Sequence, residues 1–433
     1  MQTSLPLPRA VVAAAFILLF GIHFSAAQPD ASAVPWGISS SASAWRNHTE
    51  WFPKMSEAGV SWVRLFPEWR GLQPTPGVWK WERTDAMLKS AAENKLHIEA
   101  ILMGSAPSAK GKAHAFPMNH LNEWSNFVST AVSRYKDQIR YWEVWNEGNG
   151  GFNDDHHTTV DYANLAATTY EAAKRADAKA QVGLTVASFD APYLNRAMLA
   201  MNQAGKPNSF DFLCIHPYEI ADGLADANGE IPFLWMTRQL REVLKVSAPD
   251  RANAEIWMTE VGQKIQSPPG NKTTESDAAK ALVKIYSMAI AQGIQRTMWF
   301  EGRDPVGEES GFGLLNREGN PRASYNAFKT MTTLLGATPK HEGWLALGNR
   351  GRGYGFVFRG ATKPVLATWM PAGETDKSIA FQRDVEVIDS LSGSRSTLKA
   401  GQPISVSDTP IFITDVPNEL VAKASDNSKR NFP

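Results

Sequence analysis

Residues 139–150 read Ile-Arg-Tyr-Trp-Glu-Val-Trp-Asn-Glu-Gly-Asn-Gly, and the rest of the chain is organised around them. Their aromatic and β-branched residues predict a strand, and Asn146-Glu147 followed at once by glycine marks where that strand opens into a loop. Glu147 therefore stands at a strand's C-terminal end. Residues 255–262, Glu-Ile-Trp-Met-Thr-Glu-Val-Gly, repeat the arrangement with Glu260 in the same place.

Outward from this pair, strand and helix patterns alternate. Trp36 to Ser39, Val60 to Phe66 and Leu96 to Met103 predict strands before it, and Val182 to Ala187, Phe210 to Ile215 and Thr297 to Phe300 predict the others. Helical spacing fills the gaps, as in Arg83 to Asn94, Leu121 to Tyr135, Tyr162 to Ala176 and Ala278 to Gln292. Eight strand candidates separated by helices over about 300 residues predict one (β/α)8 TIM barrel, an α/β fold, across residues 28–338. An open doubly wound sheet is the other arrangement, but no Gly-rich phosphate loop follows the first strand. Past Leu335 the pattern becomes short strands between turns, which predicts an antiparallel β-sandwich over 339–417. The link at 336–343 is short and predicts a packed interface rather than a tether. Residues 418–433 are expected to be a frayed tail.

Composition narrows the function. The 433 residues carry 44 Lys plus Arg against 44 Asp plus Glu, so no net charge draws the chain to nucleic acid or to an anionic membrane. A neutral polymer or a small molecule fits better, and the 15 Trp and 9 Tyr supply flat faces on which sugar rings stack. At the start, Arg9, the apolar run Ala10 to Phe24 and Ser25-Ala26-Ala27 form a secretory signal pattern, so residues 1–27 are expected to be removed. The apolar run falls short of the roughly 20 residues of a membrane span. A secreted or periplasmic monomer without a stable membrane anchor is expected. The single cysteine, Cys214, leaves the exported chain to rely on its core rather than on disulfides.

In a (β/α)8 barrel the strand C-termini converge on the active site, so Glu147 on strand four and Glu260 on strand seven would face one cleft. Two carboxylates so placed suit glycosidic hydrolysis, one protonating the leaving oxygen while the other attacks the anomeric carbon. Arg64 and Glu143 lie inside strands, where an interior charge must be paired, so they are expected to bind each other or to position Glu260, with Arg64 also lining the site. Glu301, just past strand eight, is a third carboxylate at the rim, either contacting a substrate hydroxyl or solvated, and it is the rival to Glu260. The run Asp154-Asp155-His156-His157 lacks the ligand spacing of a metal site and is expected to be a solvated loop. Neither a metal nor a cofactor is called for.

Trp145-Asn146-Glu147 with Thr259-Glu260 resembles clan A of the glycoside hydrolases over residues 36–335. Glu143, the Gly-Asn after Glu147 and the appended β-sandwich make the chain most similar to family 39, with families 5 and 30 as the other possibilities. The resemblance implies a retaining double displacement on a β-linked polysaccharide or oligosaccharide, with Glu147 as acid and then base, and Glu260 as nucleophile. Glu147 would have to be held protonated by a less polar setting and by the charge of Glu260. Asn146 is implied to bond the sugar 2-hydroxyl, Tyr218 to orient Glu260, and Trp299 to form a platform under the sugar. His216 is placed to reach the sugar. The alternatives are a turn residue for Asn146, a buried polar pair for His216 and Tyr218, and barrel packing for Trp299. Members of the clan often carry a His after strand three, where this chain has Leu102-Met103-Gly104-Ser105, and His114 or His120 would have to substitute. A non-catalytic glycan-binding barrel is the alternative function.

Overall fold

The structure, a computed structural model, describes residues 33–40, 44–109, 112–226, 228–265, 273–305 and 310–430. The leader expected over residues 1–27 lies outside them. Eight strands close into a barrel: β1 (Trp36–Ser39), β2 (Trp62–Leu65), β3 (His97–Leu102), β4 (Ile139–Val144), β5 (Gln181–Ala187), β6 (Phe212–His216), β7 (Glu255–Val261) and β8 (Arg296–Phe300). Each pairs in parallel with the next, and β8 returns to β1 through Trp36↔Thr297 and Ile38↔Trp299. Closure leaves no strand edge unpaired. Helices cross back outside because parallel neighbours cannot be joined by a tight turn. Two of them, Thr159–Ala176 and Glu275–Ala291, start at complete capping boxes, Thr158 with Asp161 and Thr274 with Asp277. Each box satisfies otherwise orphaned amides and fixes where its helix begins. Among the described residues no helix is long and apolar enough to cross a membrane.

Alternation along the strands stacks the barrel interior in layers. At the N-terminal end Trp62, Phe212, Trp257 and Met298 fill the axis, with Tyr141 packed against them. Arg296 is buried among these rings, its guanidinium carbon 3.9 Å from the ring centre of Trp257 and 4.4 Å from that of Trp62. Gly183 belongs to this layer because a Cβ there would lie 2.5 Å from the Phe212 ring. Above the aromatic floor comes an ionic layer, in which Arg64, Glu99 and Glu143 are wholly buried. The floor closes the barrel from below and leaves these charges in a low dielectric, open only toward the C-terminal mouth.

The C-terminal part contains β9 (Lys340–Leu347), β10 (Gly353–Arg359), β11 (Pro364–Trp369), β12 (Asp376–Ala380), β13 (Val385–Asp389), β14 (Arg395–Leu398), β15 (Pro403–Val406) and β16 (Ile411–Thr414). Six of them form an antiparallel sheet in the order β14-β13-β16-β11-β10-β9, and β12 pairs with β15. The two sheets share a core that includes Val357, Leu366, Ile413, Ile379 and Val406. The other face of the large sheet, with Phe356, Phe358, Trp369 and Phe412, merges with the core of the barrel. Trp369 is wholly buried there and donates its indole N–H to Glu230 Oε1 at 3.0 Å, an oxygen that also accepts from Lys284 at 2.9 Å.

The tail expected over 418–433 needs correcting, because it begins with the helix Asn418–Asn427. Ala424 of that helix is buried with Leu420 and Val421 packed beside it, and Asn427 donates to the Trp344 carbonyl at 2.9 Å. The polar residues that suggested fraying form the exposed face of an amphipathic helix. β9 admits the helix through Gly343, whose Cβ would fall 1.8 Å from the Ala424 carbonyl oxygen.

Candidate active site

Past the end of β4 the chain turns through Trp145 and Glu147, both left-handed at φ 65° and 48°. That conformation costs a residue with a Cβ roughly 1–2 kcal/mol, so surrounding contacts must hold it. Trp145 supplies them: its ring is buried and its N–H donates to the Phe152 carbonyl at 2.6 Å. Glu260 is set differently, inside β7, where the pairing register slips between Met258 and Val261. Such an irregularity lets two successive side chains, Thr259 and Glu260, both serve the interior. One oxygen of Glu147, one of Glu260 and a ring nitrogen of His216 lie within 4.8 Å of one another.

Arg64 ties the carboxylates together. Its Nε donates to Glu143 Oε2 at 2.6 Å and its Nη2 to Glu143 Oε1 and Asn146 Oδ1, both at 2.9 Å, while Nη1 donates to Glu260 Oε1. A planar fork can hold a carboxylate on one side and still reach two more acceptors, which an ammonium cannot do with the same rigidity. Tyr218 donates to the other oxygen of Glu260, Oε2, at 3.1 Å. His216 bridges upward and sideways, with Nδ1 2.9 Å from Glu147 Oε1 and Nε2 3.0 Å from Thr259 Oγ1. Thr259 passes the contact on to Glu143 Oε1 at 3.2 Å, where Thr185 also donates.

The charges follow from these contacts. Burial alone would lower His216, but the charge of Glu260, Glu143 Oε1 lying 3.7 Å from Nε2 and the bond to Glu147 outweigh it and hold the imidazole up at about 9. Burial alone would raise Glu147, yet the bond to His216 and the positive charges of His216 and Arg64 take it below the usual carboxylate range. The expectation of a protonated Glu147 is thereby corrected: in the free site the proton sits on the His216 side of the pair. Glu143 is likewise driven down by Arg64 and His216 against the effect of burial. Glu99 goes the other way, raised first by burial and then by the charge of Glu143, to which its protonated carboxyl can donate a hydrogen bond. Its nearest cation, Arg64 Nε, is 3.5 Å away and already taken by Glu143. Glu147, His216 and Glu260 have the reach to bracket a cation, but Arg64 already places one on Glu260. The donor set fits a shared proton better than a metal.

Several expected contacts fall elsewhere. Trp299 is wholly buried and donates its N–H to the Phe312 carbonyl at 3.1 Å, so it forms no platform. Alternation explains this: Arg296 and Met298 of β8 occupy the barrel axis, which turns Trp299 outward and leaves Phe300 to line the cleft. Glu301 is 1 % exposed and accepts from Ser310 Oγ at 2.7 Å, held under the segment that follows β8 and away from the cleft. Arg64 and His216 are both fully buried, so they touch the carboxylates rather than a sugar. Asn146 and Tyr218 do line the cleft. With Asn146 Oδ1 taken by Arg64, its amide NH2 is the group left to donate. His114 lines the cleft as well, whereas His120 is spent on Glu123 at 2.8 Å.

The cleft above the carboxylates has a volume of about 660 Å³, within the range of small-molecule sites. Phe66, Phe152, Phe300 and Phe312 give it apolar walls. Sequence reasoning missed these rings and missed Glu99, although a lone charge inside the apolar strand His97–Leu102 is the same signal that marked Arg64 and Glu143.

Comparison with known proteins agrees with this architecture. A beta-xylosidase of Caldicellulosiruptor saccharolyticus is 26 % identical over 260 residues, 55 % of this chain and 51 % of that protein, so the chain spans about half the length of the curated relative it matches. Among solved structures, a family 39 glycoside hydrolase from the gut symbiont Bacteroides cellulosilyticus superposes with a TM-score of 0.71 at 17 % identity, over 89 % of this chain and 82 % of that one. A family 39 β-xylosidase from Caulobacter crescentus gives 0.62 at 16 % identity, over 89 % and 96 %. At these identities the two structures speak for the fold. The family model for glycosyl hydrolases family 39 matches residues 83–342, more than half of the chain, and the chain belongs to that family.

Proposed function

We propose that this chain is an exported, monomeric, retaining glycoside hydrolase that cleaves β-linked sugars in an oligosaccharide or polysaccharide. The observation that carries the reading is the approach of Glu147 and Glu260, with oxygens within 4.8 Å at the barrel mouth. Retaining enzymes place their carboxyls roughly 5–5.5 Å apart, whereas inverting ones leave about 6.5–9.5 Å for a water. In the first step Glu260 Oε2, the oxygen not held by Arg64, attacks the anomeric carbon while the bond to the leaving oxygen breaks. The proton shared by Glu147 and His216 moves to that oxygen through Glu147. In the second step Glu147 takes a proton from water, the water oxygen bonds to the anomeric carbon, and Glu260 departs as a carboxylate already met by Arg64 and Tyr218. Asn146 is in place to donate to the 2-hydroxyl, a bond that strengthens toward the transition state.

The relative's name, beta-xylosidase, supports a β-xyloside as the first substrate to try. The leader pattern supports export, and a Caulobacter crescentus relative described as monomeric supports a single chain. The test is trapping with a 2-deoxy-2-fluoro-xyloside bearing a good leaving group. The fluorine slows departure from the enzyme, and peptide mass spectrometry should find the sugar on Glu260. A label on Glu301, or turnover with inverted configuration, would overturn the assignment.

A further inference from the structure

The cleft is not electrically even. Arg46 on the helix Ala44–Glu57, Lys80, and Arg83 in the first turn of the helix Glu82–Glu93 all line it, and all belong to the crossings that follow β1 and β2. Glu147 and the ring of Phe152 come from the crossing after β4 and Tyr218 from the one after β6, while Glu260 and Phe300 stand at the ends of β7 and β8. The positive charge is thus gathered on one wall, where Glu68 is the lone lining carboxylate among the described residues. Some arginines elsewhere are paired, Arg134 with Asp85, Arg303 with Glu50 and Arg317 with Glu318, each at 2.6 Å, while others such as Arg196, Arg238 and Arg383 have no carboxylate partner among the described residues, so what distinguishes the cleft is the gathering of its cations on one wall. Among the described residues, Arg46, Lys80 and Arg83 make no such pair, although Glu68 shares their wall.

An uncharged sugar gains little from three unpaired cations, and an anion entering a site with two carboxylates is repelled unless something offsets them. The arrangement suits a substrate whose negative charge meets the basic wall while its uncharged ring meets the carboxylate pair. We propose that the preferred substrate is an acidic oligosaccharide, carrying a carboxylate or a sulfate on a sugar next to the one whose bond is cut. This rests on the glycosidase reading and adds the substrate's charge to it.

The test measures binding separately from turnover. The full chain carrying Glu260→Gln is titrated calorimetrically with xylotetraose, with the same tetraose bearing a glucuronic acid branch, and with a sulfated tetraose, at low and high salt. An anionic probe is expected to bind roughly tenfold more tightly than the neutral one at low salt, three partly exposed contacts being weak singly but additive. The advantage should shrink as salt screens it and should fall in the Arg46→Gln/Lys80→Gln/Arg83→Gln triple variant. The three single variants, each checked by its melting temperature, are measured beside the triple so that a folding defect is not mistaken for lost contacts. Whichever anionic probe gains identifies the group as carboxylate or sulfate. Equal affinity for neutral and anionic probes, binding by none of the anionic ones, or an advantage untouched by the substitutions overturns the inference. The fluorosugar label on Glu260 would stand regardless, so the two failures remain distinguishable.

Discussion

At Glu147 burial and a neighbouring imidazolium pull in opposite directions, and the imidazolium prevails. The acid of the proposed reaction is then the Glu147–His216 pair, which gives up its last proton near the His216 value of about 9. His216→Asn leaves Glu147 to titrate as a lone carboxyl, so the alkaline limb of kcat/KM is expected to move down by at least about one pH unit, and kcat to fall roughly 10²-fold for poor leaving groups. A limb that stays put would remove His216 from the proton path. The same residue bears on stability. Its raised value means that its contribution is fully present below the ordinary 6.5 and is lost as pH rises through about 9. Glu99 is raised too, and for a carboxyl the sign has another consequence: above the ordinary 4.5 the unfolded chain sheds a proton that the folded one keeps, so folding weakens as pH rises. Glu99→Gln copies the neutral acid and escapes this loss. Thermal melts should show the variant more stable than the parent at neutral pH, with the gain vanishing below 4.5. A variant that melts lower at neutral pH would instead make Glu99 an ionised partner of Arg64.

At the level of elements, β8 shows what the sequence made legible and what it hid. Its four predicted residues, Thr297 to Phe300, lie within Arg296–Phe300, because a parallel strand buried on both faces reads as an unbroken apolar run. An unbroken run does not say which side chains face inward, so nothing in it marks Phe300 rather than Trp299 as the residue that lines the cleft. Glu260 lies at the mouth, yet the register slip that turns it inward leaves no mark in Glu-Ile-Trp-Met-Thr-Glu-Val. In the C-terminal part β10, β11, β13, β15 and β16 each carry β-branched or aromatic residues that read as a short strand. β14, Arg-Ser-Thr-Leu, does not read as one, since three of its four residues are exposed at the sheet's edge. The division within β8 can be checked by paired substitutions. Phe300→Ala should raise KM for a small glycoside while melting falls modestly. Trp299→Ala should cost roughly 3–5 kcal/mol of stability, the usual loss for a buried aromatic, with KM unchanged in the protein that still folds. The reverse pattern would restore Trp299 as the sugar platform.

For the whole molecule the question is whether the C-terminal sheets are a detachable unit or part of the enzyme's core. Trp344 and Tyr354 of the sheets are only half-buried, so aromatic exposure alone does not decide it. The large sheet's inner face does: Phe356, Phe358, Trp369 and Phe412 lie in one continuous cluster with barrel residues. Burying each such side chain contributes roughly 1.5–3 kcal/mol, and four of them rival the total of about 5–15 kcal/mol by which a domain is stable. Polar contacts cross the same boundary, since Glu230 of the barrel holds both Lys284 and the Trp369 indole. Removing the sheets would uncover an apolar face and leave that buried ion pair short of one donor. Residues 28–338 expressed alone are therefore expected to aggregate or to melt well below the full chain, and not to survive as an active barrel with weaker polymer binding. Trp369→Phe separates the two contributions: it keeps most of the ring and removes the N–H, so it should cost only about 1–3 kcal/mol and leave turnover intact. Solubility, melting temperature and hydrolysis of a small glycoside are the readouts. A soluble 28–338 fragment that melts and turns over like the full chain would make the interface incidental and the sheets a separable module.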